Sequence, residues 1–245
     1  MYRKCFKRFF DVILSLIALI VLSPILLIIS ILSRIFMGKG IILKQYRPGK
    51  NGKVFVLYKF RSMTNKKDEN GNLLPDKDRI TKWGKFLRKS SIDELPQLVN
   101  ILKGDMSIVG PRPRLVKDMV FYDKEVMEAY SVRPGLTSPS QISGGRSESS
   151  WEEIFEEDLK YSKRITFFGD MKIIFKTFFA IFKSKGSESA ESAKRDYYYP
   201  DYLLKSNKIT KEQYDLGLNK ANEIIDSHGV VEYDSKLHAE KENSK

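Results

Sequence analysis

Residues 12–33, VILSLIALIVLSPILLIISILS, run for 22 residues without a charge. As one helix they reach about 33 Å, enough to cross the hydrocarbon core of a bilayer. Length alone therefore reads as a single-pass anchor. Two features favour another arrangement. Pro24 sits mid-segment, where it removes a backbone hydrogen bond and kinks a helix, at a cost of about 3 kcal/mol. The preceding Ser23 is placed to satisfy a freed carbonyl. Each arm is then too short to span, since residues 12–23 cover only ~18 Å. The flanks are the second feature. Arg3, Lys4, Lys7 and Arg8 precede the segment and Arg34, Lys39 and Lys44 follow it. Cytoplasmic loops collect Lys and Arg, and neither end is favoured. A broken, re-entrant helix that enters and leaves by the cytoplasmic face satisfies both flanks and is the expected form. No small-residue cleavage site follows and Arg34 closes the run, which speaks against a cleaved signal peptide.

The charge is unevenly spread. Of the net +12, residues 1–61 hold 12 Lys and Arg against one acid, Asp11, whereas residues 187–245 hold 9 basic and 12 acidic residues. A basic N-terminal quarter points to anionic lipid, a phosphate-bearing substrate or nucleic acid. The single Cys5 excludes an intramolecular disulfide framework and a Cys-rich zinc site. Both histidines, His228 and His238, lie in the tail, so a histidine-based site is not expected. There is no Walker A loop and no GxGxxG, which argues against a P-loop kinase or a Rossmann enzyme.

Periodicity gives a mixed α/β, mostly helical chain. Residues 41–63 read as a β-hairpin with Pro48-Gly49-Lys50-Asn51-Gly52 as turn material. Residues 65–79 form a polar loop, 82–89 a short helix, and 93–102 a helix with Leu95, Leu98, Val99 and Leu102 on its apolar face. Residues 115–130 read as a further helix, and Ser150 to Glu153 as a capping box opening another to about Tyr161. In residues 170–183, Lys172, Lys176 and Lys183 fall within about 40° of one another at 100° per residue. Phe and Ile take most of the remaining circumference. That describes either a helix lying in a membrane interface or a core helix with a solvated stripe, and the first is favoured beside an anchor. Residues 187–194 are a polar linker, residues 209–226 resemble an isolated helix, and the last residues have a disordered composition. The expected organisation is a membrane helix (1–37), a catalytic domain (38–186) and a polar linker with a helical extension (187–245).

The candidate chemistry lies in residues 88–114, RKSSIDELPQLVNILKGDMSIVGPRPR. Asp93 and Glu94 are adjacent carboxylates near a helix start. Ser91-Ile92-Asp93-Glu94 also fits a capping box, and Asp93 is itself a good N-cap. Pro96 is tolerated in the first turn if Asp93 is the cap, which puts the pair at a helix mouth, where the dipole favours anions. On spacing alone, capping and catalysis both remain open. Arg112 is held between two prolines, so its planar fork is presented rigidly to phosphate. Lys59, Arg61, Arg88, Arg114, Arg133 and Arg146 are further cations in flanking segments. Asp76-Lys77-Asp78 is a competing acidic pair; a solvated loop explains it more simply than a metal site.

LYKFRSM, RKSSIDELPQLVNILKGDMSIVGPRP and VRPGLT together resemble the bacterial sugar transferases, the small monotopic phosphoglycosyl transferases. The resemblance runs from about Tyr2 to Lys183 and includes the Ser23-Pro24 break. It implies transfer of a sugar-1-phosphate from a UDP-sugar to polyprenyl (undecaprenyl) phosphate, with release of UMP. This would be a first membrane step in surface glycan or glycoprotein synthesis, on the cytoplasmic face of the bacterial inner membrane. It implies Asp93 as nucleophile, Glu94 as a ligand to Mg²⁺, and Arg112 as a phosphate clamp. Lys59, Arg61, Arg88, Arg133, Arg146, Asp158 and Tyr161 are the implied supporting substrate contacts, with Asp170 matching the family spacing after Tyr161. Membrane lipid and downstream glycosyltransferases are the implied partners, and nucleic acid is not among them. The chain departs from the family at RPGLTSPSQISGGR, where Ser138, Pro139 and Ser140 replace the usual residues and one extra residue precedes Arg146. Two other readings stay open: a membrane-anchored glycosyltransferase using Asp76 and Asp78 and releasing UDP, and a non-enzymatic basic membrane scaffold.

Overall fold

A computed structural model describes residues 2–71, 73–143, 150–183 and 198–229. After one π-helical turn (Tyr2–Phe6), helix α1 (Lys7–Met37) runs continuously through Pro24. The proline has no N–H for the Ile20 carbonyl four residues back, and Ser23 Oγ donates to that oxygen instead, at 2.8 Å. The buried residues of α1 form two groups spaced by four, Lys7, Asp11 and Ser15 and then Ile29, Ser33 and Met37, so each arm turns one stripe inward. Residues 16–28 between them contribute no buried side chain. Leu16, Ile17, Ile20, Val21, Ile25, Leu27 and Ile28 are exposed, an apolar surface far larger than a soluble protein leaves bare.

Both arms are tied down by polar contacts. Asp11, the one acid of the basic N-terminal quarter, accepts from Ser107 Oγ at 2.7 Å and from the Ile108 N–H at 3.0 Å. Arg8 donates to the Ile101 and Leu102 carbonyls. At the other end, the Trp83 indole N–H donates to Ser33 Oγ at 3.0 Å, and Arg61 donates to the Met37 and Lys39 carbonyls, both at 2.6 Å.

The hairpin forms as the alternation predicts. Strands β1 (Ile42–Pro48) and β2 (Val54–Phe60) pair antiparallel, from Ile42 opposite Phe60 to Pro48 opposite Val54. Helix α2 (Lys82–Ser90) starts at Thr81, whose hydroxyl caps Gly84. A 3-10 turn (Ile92–Glu94) leads to α3 (Gln97–Lys103). The helix expected over 93–102 thus starts later, and its buried face is Gln97, Leu98, Asn100 and Ile101, with Val99 exposed. Phe55 and Leu57 pack on Leu98, Ile101 and Met106 to form the core under this corner.

Strand β3 (Ser107–Val109) pairs in parallel with β4 (Gly135–Thr137). This ladder joins the two motifs SIVGPRP and VRPGLT. It needs glycine on both sides: a Cβ on Gly110 would lie 2.3 Å from the Arg133 carbonyl oxygen, and one on Gly135 would lie 2.1 Å from the Gly110 nitrogen. The single helix expected over 115–130 is two, α4 (Val116–Met119) and α5 (Lys124–Ala129). Asp123 breaks the run by capping Val126 at 2.8 Å in extended backbone.

After α6 (Pro139–Ser143), α7 (Trp151–Lys163) opens with the expected reciprocal Ser150–Glu153 capping box. Helix α8 (Phe167–Lys183) leaves Phe168, Phe175, Phe178 and Phe179 exposed, together with Lys172 and Lys176. Helices α9 (Tyr199–Lys205) and α10 (Lys211–Ser227) complete the described chain. The helix expected to be isolated is packed: Ala221 and Ile225 of α10 share a core with Tyr46 and Val116. Tyr46 donates to the His228 carbonyl, and the Tyr199 N–H donates to buried Asp118. The linker at 187–194 and the tail with His238 lie outside the described residues.

Candidate active site

The site forms where β2, the turn after α2, and the turn after β3 converge. Helix α2 ends at Ser91 in the left-handed region (φ 56, ψ 14), a conformation costing a non-glycine residue about 1–3 kcal/mol. That reversal throws Asp93 and Glu94 onto the 3-10 turn instead of capping α3, and neither helix-type element has a side-chain cap there. The capping reading is not met. Asp93 is 2% exposed, and its Oδ2 lies 2.9 Å from Lys59 Nζ. Asn100, fully buried, holds the two elements in register, accepting from the Tyr58 N–H at 3.0 Å and donating to the Val56 carbonyl at 2.7 Å. Burial pushes the Asp93 carboxyl above its ordinary range, as does the Glu94 charge; Lys59 and, less strongly, Arg88 pull it back.

Glu94 Oε1 lies 3.1 Å from an Arg112 terminal nitrogen, with both groups partly exposed. The three carbonyls of Pro111-Arg112-Pro113 are all engaged. Gly135 N–H donates to Pro111 at 2.9 Å, Tyr130 Oη to Arg112 at 2.9 Å, and Arg47 to Pro113 at 3.1 Å. Arg47 is half-buried; desolvation first and the Arg112 charge second lower its pKa to about 10, which leaves it cationic. Asp158 is buried beneath the turn. Burial raises its pKa to about 6 against the opposing pull of Arg114, of the Ser140 hydroxyl and of the Arg112 and Ser140 amides. Arg114 in turn stands over the Trp151 ring at 5.0 Å.

The structure therefore brings together Lys59, Asp93, Glu94 and Arg112, with Arg88 beside them and Asp158 behind. Arg88 is oriented by its Nε donating to Ser62 Oγ at 2.8 Å. Three expected substrate contacts are placed elsewhere. Arg61 holds the end of α1. Arg133 donates to the Gly104 carbonyl at 2.7 Å, at the opposite end of α3 from Asp93. Tyr161 Oη lies 2.8 Å from Asp170 Oδ1 and 3.0 Å from the Val109 carbonyl oxygen, its one proton shared between them, in a buried cluster where Lys7 and Tyr2 donate to Asp170 Oδ2. Arg146 lies outside the described residues. Asp76 of the competing acidic pair is ion-paired with buried Arg79 within a single helical turn (Asp76–Arg79).

Arg47, Ser62 and Asn100 are contributors that the sequence reading missed. Asn100 left a signal, a polar residue on the face of α3 that carries Leu98 and Ile101. Arg47 and Ser62 left none. Among the described residues no three His, Cys, Asp or Glu side chains cluster into a cage for a metal. Glu94, the partly exposed carboxylate next to Asp93, is nonetheless the kind of donor that Mg²⁺ uses when substrate phosphates complete its shell, so that residue fits the ion.

Residues 2–184 match the family model described as Bacterial sugar transferase. The chain belongs to the bacterial sugar transferase family. Among similar family members is the uncharacterized sugar transferase EpsL of Bacillus subtilis (strain 168), 46% identical over 180 residues, which are 74% of this chain and 89% of EpsL. The UDP-glucose:undecaprenyl-phosphate glucose-1-phosphate transferase of Klebsiella pneumoniae is 40% identical over 191 residues, covering 74% of this chain and 41% of that protein. The UDP-N-acetylgalactosamine-undecaprenyl-phosphate N-acetylgalactosaminephosphotransferase of Aeromonas hydrophila is 35% identical over 188 residues, covering 74% and 44%. The chain thus spans nearly all of one relative and less than half of the others. Helices α9 and α10 lie beyond the family match.

Proposed function

We propose that this bacterial sugar transferase moves a sugar-1-phosphate from a UDP-sugar to undecaprenyl phosphate, giving the diphosphate-linked sugar and UMP, and so initiates polysaccharide synthesis. The observation that carries the reading is the buried Asp93 carboxylate 2.9 Å from Lys59, beside the Glu94–Arg112 pair. Asp93 is the nucleophile. Its oxygen attacks the β-phosphorus of the UDP-sugar, the bond from that phosphorus to the bridging oxygen breaks, and UMP leaves with that oxygen. The acceptor phosphate oxygen then attacks the same phosphorus, the bond to Asp93 breaks, and the carboxylate is restored.

Lys59 keeps Asp93 ionised in a site whose burial opposes its charge. Arg112, rigid between prolines, exchanges its contact with Glu94 for the phosphate oxygens. Glu94 is the residue that would hold Mg²⁺, which would supply charge neutralisation on the diphosphate when bound. Arg88 adds positive charge beside the nucleophile, and Asp158 with Arg114 supports the turn that presents Arg112.

The acceptor lives in the membrane, which α1 enters by both arms from one side. Contacts at Asp11 and at Ser33 and Met37 tie both ends to one body. A helix crossing the bilayer would place these ends on opposite faces, so this pairing supports a re-entrant helix, and the Lys and Arg on both flanks favour the cytoplasmic face. The bare aromatic side of α8 lies in the interface. On this reading residues 1–37 are the membrane element, 38–186 the catalytic domain and 187–245 an extension. Incubating membrane-embedded protein with a panel of UDP-sugars and identifying the nucleotide released tests the reaction: UMP is expected, and UDP would favour direct glycosyl transfer.

A further inference from the structure

A groove of about 530 Å³ runs along the C-terminal arm of α1, lined by Ser30, Ile31, Arg34, Ile35 and the loop from Lys39 to Ile41. Gly38 and Gly40 carry that loop in left-handed backbone (φ 76 and 74), folding it back beside the helix. The lining is predominantly apolar and continues into the bare surface of α1. Two cations stand at its rim, Arg34 and Lys39, both exposed. Neither side chain has an ion-pair or hydrogen-bond partner among the described residues. Apolar floor and unpaired double charge together fit an anionic amphiphile.

The end of strand β2 links the edge of the groove to the nucleophile. Lys59 and Arg61, two residues apart on one extended segment, project to the same face. Lys59 holds Asp93, and Arg61 grips the Met37 and Lys39 carbonyls at the edge of the groove. The next residue, Ser62, holds Arg88, whose charge reaches Asp93. Arg61 at the groove edge and Lys59 on Asp93 are thus two residues apart on this segment.

We propose that this groove is the entry dock of the polyprenyl phosphate acceptor, with the phosphate between Arg34 and Lys39 and the chain along Ile31, Ile35 and Ile41. Charge selects this occupant. A phosphate monoester carries close to two negative charges near pH 7, matching two cations, whereas a phosphodiester headgroup offers one. The inference rests on the reaction proposed above.

The test is acceptor kinetics of Arg34→Ala/Lys39→Ala in detergent micelles, beside the charge-retaining Arg34→Lys/Lys39→Arg. The double alanine variant is expected to raise KM for polyprenyl phosphate about 10- to 100-fold, the loss of one or two charge-assisted contacts. Its kcat at saturating acceptor should stay within about twofold, and the charge-retaining variant should recover most of the KM. An unchanged KM overturns the dock. So does an unchanged KM with weakened membrane retention, which would assign the groove to bulk phospholipid. A parallel fall in kcat with no change in KM also overturns it, as a structural effect. Wild-type protein that releases no UMP from any UDP-sugar refutes the reaction itself, separately from the dock.

Discussion

Lys59 Nζ stands 2.9 Å from Asp93 Oδ2 in the floor of the site, and both groups are largely shielded from water. The pair sets the charge of the nucleophile. Burial raises the Asp93 pKa and Lys59 lowers it, so Lys59→Met removes the strongest opposing influence. The carboxylate is the reactive form, and activity falls as pH drops through its pKa. The acid limb of UMP release is therefore expected to move to higher pH in Lys59→Met, as a pH–rate profile will show. An acid limb at the wild-type position would separate Lys59 from the nucleophile.

Arg112 sits in a turn whose three carbonyls are all engaged, so its backbone is fixed, and its guanidinium reaches Glu94 at 3.1 Å. Arg112→Ala is expected to lower the rate of UMP release by about 10²- to 10³-fold, the range for removing one preorganised donor to developing charge. Arg112→Lys should recover only part, since an ammonium lacks the two-pronged geometry. Full recovery by Lys would make Arg112 a simple point charge. Single-turnover rates decide between the two.

Asp158 has a carboxyl raised from 3.8 to about 6 in the fold. The folded state holds that proton more tightly than the unfolded state does. The associated stability is fully present below pH ~4 and is lost as pH rises through about 6. The shift corresponds to roughly 3 kcal/mol. Between pH 4 and pH 7, wild-type protein should therefore lose about that much relative to Asp158→Asn. Unfolding of both proteins across this range measures it, and parallel pH profiles would remove Asp158 from the account.

How far these features were legible in the sequence depended on the range of the contacts involved. The hairpin from Ile42 to Phe60 and the Ser150–Glu153 box were readable because alternation and capping are local. The Ser23 hydroxyl finding the Ile20 carbonyl was readable for the same reason. The 3-10 turn that lifts Asp93 off the helix was not, because it depends on Ser91 adopting left-handed backbone, which serine does not signal. That Arg61 and Arg133 hold carbonyls was not legible either, since an arginine that holds a carbonyl distant in sequence is indistinguishable from a free one. The same limit hid Arg47 and Ser62. The docking of α10 was missed because its partners, Tyr46 and Val116, lie more than a hundred residues earlier.

The two arms of α1 contact one body, Asp11 through Ser107 and Ser33 through Trp83. Cysteines placed at positions 2 and 40 in a Cys5→Ser background are expected to react with a membrane-impermeant reagent only when the cytoplasmic face is open. Labelling of the two positions from opposite faces would make α1 a spanning helix.

The central claim is that Asp93 carries the phosphosugar. Wild-type protein given a UDP-sugar labelled in its β-phosphate, without lipid acceptor, should release one UMP per active site and retain the label on the peptide containing Asp93. Asp93→Asn should do neither. Undiminished UMP release by Asp93→Asn, or label retained on another residue, would contradict the assignment.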